Sequence, residues 1–359
     1  MSTSAPNPVL VRPVKSFFKV ISESSAPDGS PFIGRRLKNK KVQGSDDPDG
    51  IETDQLLLVL GPYNVTIPDI SDCTIEVPDQ NDVNPLDEKK LRSSPEDGGL
   101  GYHMSQLAIL PHLVILYAEL QHAMQKAMVS RTRSRRLLDN NRDDDDKTDA
   151  NDEKSPNLVL VAPIRHRTNC LGAATVQMAL ASGYDVLAMA DWRNRGYDAE
   201  ALDDLHADCK TSFPDRNTKI ARLDQKLRRG YSQAGNNAMA ISTMAIFVFG
   251  RNAWRNEQGR QREKPVDVLV DLHRNDEIPP AGGLIHAWDA AFETVSYGHL
   301  GGFRAEDLGP NRYSGLTREG LRDAAKKVVD MVERGDVRVP EAGVVMRVHR
   351  ERPEWTEEW

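Results

Sequence analysis

Three stretches of this chain bring together residue types and spacings suited to chemistry. The turn Pro163-Ile-Arg-His-Arg-Thr-Asn-Cys170 sets a hydroxyl, Thr168, and a thiol, Cys170, on either side of Asn169. Either group can accept an acyl unit when a neighbour takes its proton. Further on, Asp276-Glu-Ile-Pro279 is followed, twenty residues after Glu277, by Ser296-Tyr-Gly-His299. A carboxylate, a phenol and an imidazole are the usual carriers of general acid and base catalysis. The third stretch, Lys210 to Arg229, holds seven basic residues against two acidic ones, a local charge of +5. In it Lys219, Arg222, Lys226 and Arg229 are spaced by three, four and three, with Arg216 and Arg228 beside them. That spacing predicts a helix over 217–231 with a row of phosphate contacts along one face.

Each of these residues has a structural alternative. Glu277 before Ile-Pro can simply end a surface element, and Tyr297 with His299 can form a hydrogen-bonded pair in the core. Thr168 can act as a helix cap, and Cys170 as a small apolar residue. The basic row can be a solvated helix face, although a local +5 within a chain of net charge −7 points toward nucleic acid.

Several chemistries lack their motifs. A phosphate loop Gly-x-x-x-x-Gly-Lys-Ser/Thr is absent, as are Gly-x-Gly-x-x-Gly after a strand, His-Glu-x-x-His, and Gly-x-Ser-x-Gly. His273, His286 and His299 recur every thirteen residues, which matches no common metal register, so no metal and no cofactor is expected. Three cysteines, far apart, make no disulfide framework, and no apolar run is long enough to span a bilayer. A cytoplasmic protein with no membrane partner is the expectation.

The elements that must hold these residues can be read from the apolar pattern. With 359 residues, 39% hydrophobic and 28% charged, the chain can bury one large core or two modest ones. Residues 1–138 combine strand-like stretches, Val9–Ile21 and Asp54–Leu60, with a long helix over Tyr102–Met128 that runs into four arginines. Residues 139–156, with Asp143 to Asp146 in a row, are too polar to offset the cost of ordering and predict a linker. From 157 to 340 the pattern alternates. Strands Asn157–Pro163 and Asp185–Ala190 bracket a helix over Asn169–Ser182, and helices follow over Asp198–Asp208 and Asn236–Phe249. Val266–Glu277 reads as strand or helix, and Leu316–Gly335 as an amphipathic helix between Thr317 and Gly335; 341–359 is a tail. The sum is an α/β domain with a parallel sheet covered by helices.

The order of these features resembles the cyclodipeptide synthases, over roughly Asn157 to Gly302. Members of that family have a strand-serine-helix-strand unit, a basic helix, a Tyr-x-x-x-Glu-Leu-Pro and a Tyr-His pair. Here Glu277-Ile-Pro279 stands for the Glu-Leu-Pro, Tyr297 falls at the family's spacing, and His299 comes one residue late because of Gly298. The chain departs from the family where His273 replaces the tyrosine and where no serine ends the strand Asn157–Pro163. Thr168 and Cys170 are the nearest nucleophiles there; Gly61-Pro-Tyr-Asn64 is a competing placement, with glycine in place of serine.

The resemblance implies a Rossmann-like fold similar to the catalytic domain of class I aminoacyl-tRNA synthetases. It also implies an aminoacyltransferase that makes a 2,5-diketopiperazine, a secondary metabolite, from two aminoacyl-tRNAs. The divergent fungal branch is the most similar, which makes arginyl-tRNA one partner and leaves the second unnamed. A guanidinium calls for a carboxylate, and Asp271, Asp276, Asp289 and Glu293 lie in the right segment. Thr168, Asn169, Cys170, His273, Glu277, Tyr297 and His299 would then be catalytic. Arg216, Lys219, Arg222, Lys226, Arg228 and Arg229 would bind transfer RNA. Two other readings remain open: a non-catalytic RNA-binding or regulatory protein, and a small-molecule transferase or hydrolase on the same fold.

Overall fold

The computed structural model describes residues 9–13, 32–37, 52–60, 64–65, 75–139, 156–162, 171–191, 199–223, 266–271, 291–296 and 317–340. The chain is mixed α/β and divides into two compact units, residues 1–118 with 300–359, and residues 119–299.

The first unit is built on an antiparallel sheet. Its strands are β1 (Val9–Pro13), β2 (Phe32–Leu37), β3 (Glu52–Val59), β4 (Asn64–Val65), β5 (Ile75–Val77) and β6 (Val83–Leu86). They are ordered β4-β5-β1-β2-β3-β6. Leu56 to Leu60 are all buried, so β3 and the residue after it are covered on both faces rather than on one. Edge strand β6 carries the exposed Pro85, where a missing N–H costs no ladder bond. After the short helices α1 (Glu88–Arg92) and α2 (Met104–Leu107) comes α3 (Leu110–Asp139), whose residues to Ala118 belong to this unit.

The single helix expected over Tyr102–Met128 is therefore two helices, and the second continues through the arginines to Asp139. Pro111 explains the restart, because proline is accommodated in a first turn where its lack of an N–H leaves no bond unmade. Arginine and leucine are good helix formers, so the basic run extends the helix instead of ending it.

The C-terminal helix, α6 (Arg318–Arg334), belongs to the first unit. It is the amphipathic helix the pattern predicts. Thr317 accepts from Gly320 N–H at 3.0 Å, and Gly335, at φ +81°, closes the helix in a left-handed conformation open to glycine. Leu321, Ala325, Val328 and Val332 face the core. Sequence order groups this helix with the strands from 157, but its bonds run to the N-terminal segment. Glu333 accepts from Asp87 N–H at 3.0 Å, and Arg322 Nε donates to Asp82 at 2.6 Å. Arg318 also donates to Asp82, which is fully buried, while Arg322 reaches Asp79 as well.

A buried carboxylate held by two guanidiniums is costly to neutralise, because its removal leaves both cations sharing the single, more exposed carboxylate of Asp79. Asp82→Asn is expected to lower stability by about 2–3 kcal/mol. Urea unfolding checks the loss, and faster amide exchange over 318–325 would locate it at the start of α6.

The second unit holds a five-stranded sheet, all parallel: β7 (Asn157–Ala162), β8 (Asp185–Asp191), β9 (Thr218–Leu223), β10 (Val266–Asp271) and β11 (Ala291–Ser296). Helix α4 (Leu171–Ala181) connects β7 to β8, and α5 (Ala199–Ser212) lies between β8 and β9. The parallel sheet and the helix-strand alternation follow the sequence expectation, and Val266–Asp271, which the sequence leaves open between strand and helix, is a strand. The continuous apolar character of Asn157–Ala162 and Asp185–Ala190 suits strands buried on both faces, and β10 is buried from Val266 to Val270 with Asp267 among its apolar residues. Gly183, at φ +94°, ends the α4 segment, with Tyr184 N–H donating to Ala179 at 3.1 Å.

One expected helix is a strand. Residues 218–223 pair in parallel with β8, and 224–231 lie outside the described residues. Thr218 and Ile220 are buried while Lys219 between them is exposed, a period of two that favours a strand. The spacing of the charges suggests a helix, but the alternation of the apolar and β-branched positions decides the local structure.

Candidate functional site

The strand order β11-β10-β7-β8-β9 locates the candidate site. The chain begins at the central strand β7, moves outward through β8 and β9, then returns to the other side of β7 for β10 and β11. Between β7 and β10 the connections leave in opposite directions, and in open parallel sheets the crevice at the carboxyl ends of such a pair is where ligands bind.

Most of the proposed catalytic residues follow directly on those carboxyl ends in the chain. Thr168, Asn169 and Cys170 come between β7 and α4. His273, Asp276 and Glu277 come after β10, and Tyr297 and His299 follow β11. These residues and Asp289, Lys226, Arg228 and Arg229 lie outside the described residues, as do 61–63 of the competing Gly-Pro-Tyr-Asn placement, the helix expected over 236–249, and 140–155 of the acidic segment. Asn64 lies in β4, in the other unit.

The backbone separates two of the acids proposed for the guanidinium. Asp271 is the last residue of β10, in register with Val161 of β7 and Ser296 of β11, and so stands at the carboxyl edge. Glu293 is in register with Val268, in the middle of its strand. Asp191, which the motif pattern passes over, ends β8 at the same carboxyl edge as Asp271. The signal was available: β8 reads as an apolar run closed by an acid.

The opposite, amino edge of this sheet is occupied by structural bonds. Asn157 and Asp267 bind reciprocally: Asp267 Oδ2 accepts from Asn157 N–H at 2.9 Å, and Asn157 Oδ1 accepts from Asp267 N–H at 2.7 Å. Arg131 of α3 donates to the same Oδ2 at 3.2 Å. On the next strand, Asp185 accepts from the backbone and side-chain amides of Asn217, at 2.9 and 3.1 Å. Buried carboxylates committed in this way hold strand starts in register.

Two members of the basic set sit toward this amino edge. Arg216 lies in the turn before β9, its guanidinium beside Gly183, and Lys219 is the second residue of β9. Arg222 is nearer the carboxyl end of that strand. In a strand, positions three apart do not share a face as they do in a helix, so the expected helical row over Lys219 and Arg222 does not form. The region is nonetheless cationic. Burial first, then the charges of Lys210 and Lys219, hold the His206 imidazole below its usual pKa, against an opposing pull from Asp203.

Sequence also passed over Glu119 and His122, three apart on α3. Glu119 Oε1 and His122 Nε2 are buried with no hydrogen-bond partner. Burial pushes the Glu119 carboxyl up to about 7, against the lowering effect of Lys126. The unfolded carboxyl ionises near 4.5, so the folded state loses stability as pH rises from there to about 7. Glu119→Gln is therefore expected to be more stable than the parent at pH 8, by on the order of 1–3 kcal/mol, and to lose that advantage at pH 4. Urea midpoints at the two pH values test this.

Among the described residues no group of three or more His, Cys, Asp or Glu could hold a metal ion, and no helix is long and apolar enough to cross a membrane. No model of a known protein family matches the chain, and no curated protein matches it at a significant level.

Proposed function

We propose that the 119–299 unit is a transfer-RNA-dependent aminoacyltransferase that joins two aminoacyl groups into a cyclic dipeptide, one of them arginyl. One observation supports this reading: β7, β10 and β11 are adjacent parallel strands, and Thr168-Asn-Cys170, Glu277 and Tyr297 follow them in the chain. The order of the parallel sheet, counted along the chain as 3-2-1-4-5, supports the Rossmann-like class that the resemblance implies.

The chemistry is economical. An aminoacyl ester is already activated, so no ATP site is needed. Thr168 or Cys170 attacks the ester carbonyl of the first aminoacyl-tRNA, and the terminal ribose oxygen leaves with the proton. Glu277 binds or deprotonates the α-amino group of the bound aminoacyl unit. That amine attacks the ester carbonyl of the second aminoacyl-tRNA, whose ribose oxygen leaves with a proton relayed by Tyr297, oriented by His299. The new terminal amine then attacks the carbonyl bound to Thr168 or Cys170, closing the ring and freeing the nucleophile with its proton. Asp271, whose backbone ends β10 at the carboxyl edge, is the acid we assign to the arginine side chain.

The test is mass spectrometry of products after the purified full-length protein meets arginyl-tRNA together with a panel of other aminoacyl-tRNAs. A cyclic dipeptide containing arginine is expected. RNA bound without any product would instead favour a non-catalytic RNA-binding protein.

A second reading has its own support. The strand at 218–223 replaces the helix that was to line up phosphate contacts, which favours a small-molecule transferase or hydrolase with Glu277 as general base and no RNA. Charge reversal of Lys226, Arg228 and Arg229 to Glu separates the two. Product formation falls about tenfold or more, and more steeply with salt, if transfer RNA is the substrate; it is unchanged if RNA takes no part.

A further inference from the structure

We draw no further inference here: the strongest candidate, the pair of acidic strand ends Asp191 and Asp271 at the carboxyl edge of the parallel sheet, belongs to the site already described, and among the described residues no buried unpartnered group beside it shows what it would hold.

Discussion

On the proposed function, a cyclic dipeptide is expected in cells expressing the parent protein and is expected to be missing from cells expressing Glu277→Gln, with the variant equally abundant and equally folded. Glutamine keeps the size and hydrogen-bonding reach of the side chain but can neither take a proton nor offset the charge of an α-ammonium group. Removing a general base of this kind costs about a hundredfold to ten-thousandfold in rate, enough to take a metabolite below detection. Extracts compared by mass spectrometry give the answer directly, and the mass of the product names both amino acids. Undiminished product in the variant would remove Glu277 from the mechanism. His273→Phe provides a useful companion. His273 comes four residues before Glu277, so if both lie on one helical turn its loss should slow turnover without abolishing it.

The second large effect concerns stability. Asp267→Ala is expected to destabilise the protein by about 3–5 kcal/mol, the range for removing one partner of a buried ion pair. The Asp267 carboxylate is 2% exposed and Arg131 11% exposed, so water reaches the cation left behind over only a small part of its surface. The same carboxylate accepts from the Asn157 backbone, so the start of β7 also loses one of its two bonds to residue 267 of β10, keeping the one from the residue 267 N–H to Asn157 Oδ1. Those two strands flank the point at which the connections reverse, and the segments carrying Thr168 and Glu277 follow them. Urea unfolding measures the loss. A cost below about 1 kcal/mol would mean that the pair behaves as an exposed one. Arg131→Met, which replaces the cation with an apolar chain and leaves the carboxylate bound to Asn157, is expected to be milder than Asp267→Ala.

Much of the fold is legible from local pattern, for a physical reason. Strands buried on both faces need unbroken apolar runs, and Asn157–Ala162 and Asp185–Ala190 have them; α6 needs an apolar stripe between a capping threonine and a closing glycine, and has both. The candidate site is legible in another sense. Its residues come from chemical type and order along the chain, and they fall on connections that begin at strand ends, because loops can hold polar groups that a core cannot.

Three things escaped the sequence. The basic segment at 218–223 was assigned by the spacing of its charges, whereas pairing with β8 and burial of Thr218 and Ile220 make it a strand. Asp82 and Asp267 look like ordinary surface acids until their arginine partners, 236 and 136 residues away, are brought to them. Glu119 and His122 sit inside an apolar helix whose packing alone withholds water from them.

Taken by itself, the sequence determined most of the elements, the alternation that makes an α/β protein, and the residue types its polar turns carry. These follow from interactions between residues a few positions apart. Only the tertiary structure decided that the C-terminal helix completes the N-terminal unit, that β7 lies between β8 and β10, and that Asp191 and Asp271 share one edge. Those outcomes depend on contacts between segments far apart in sequence, whose energies come from burial and pairing across the fold and leave no periodic trace in the chain.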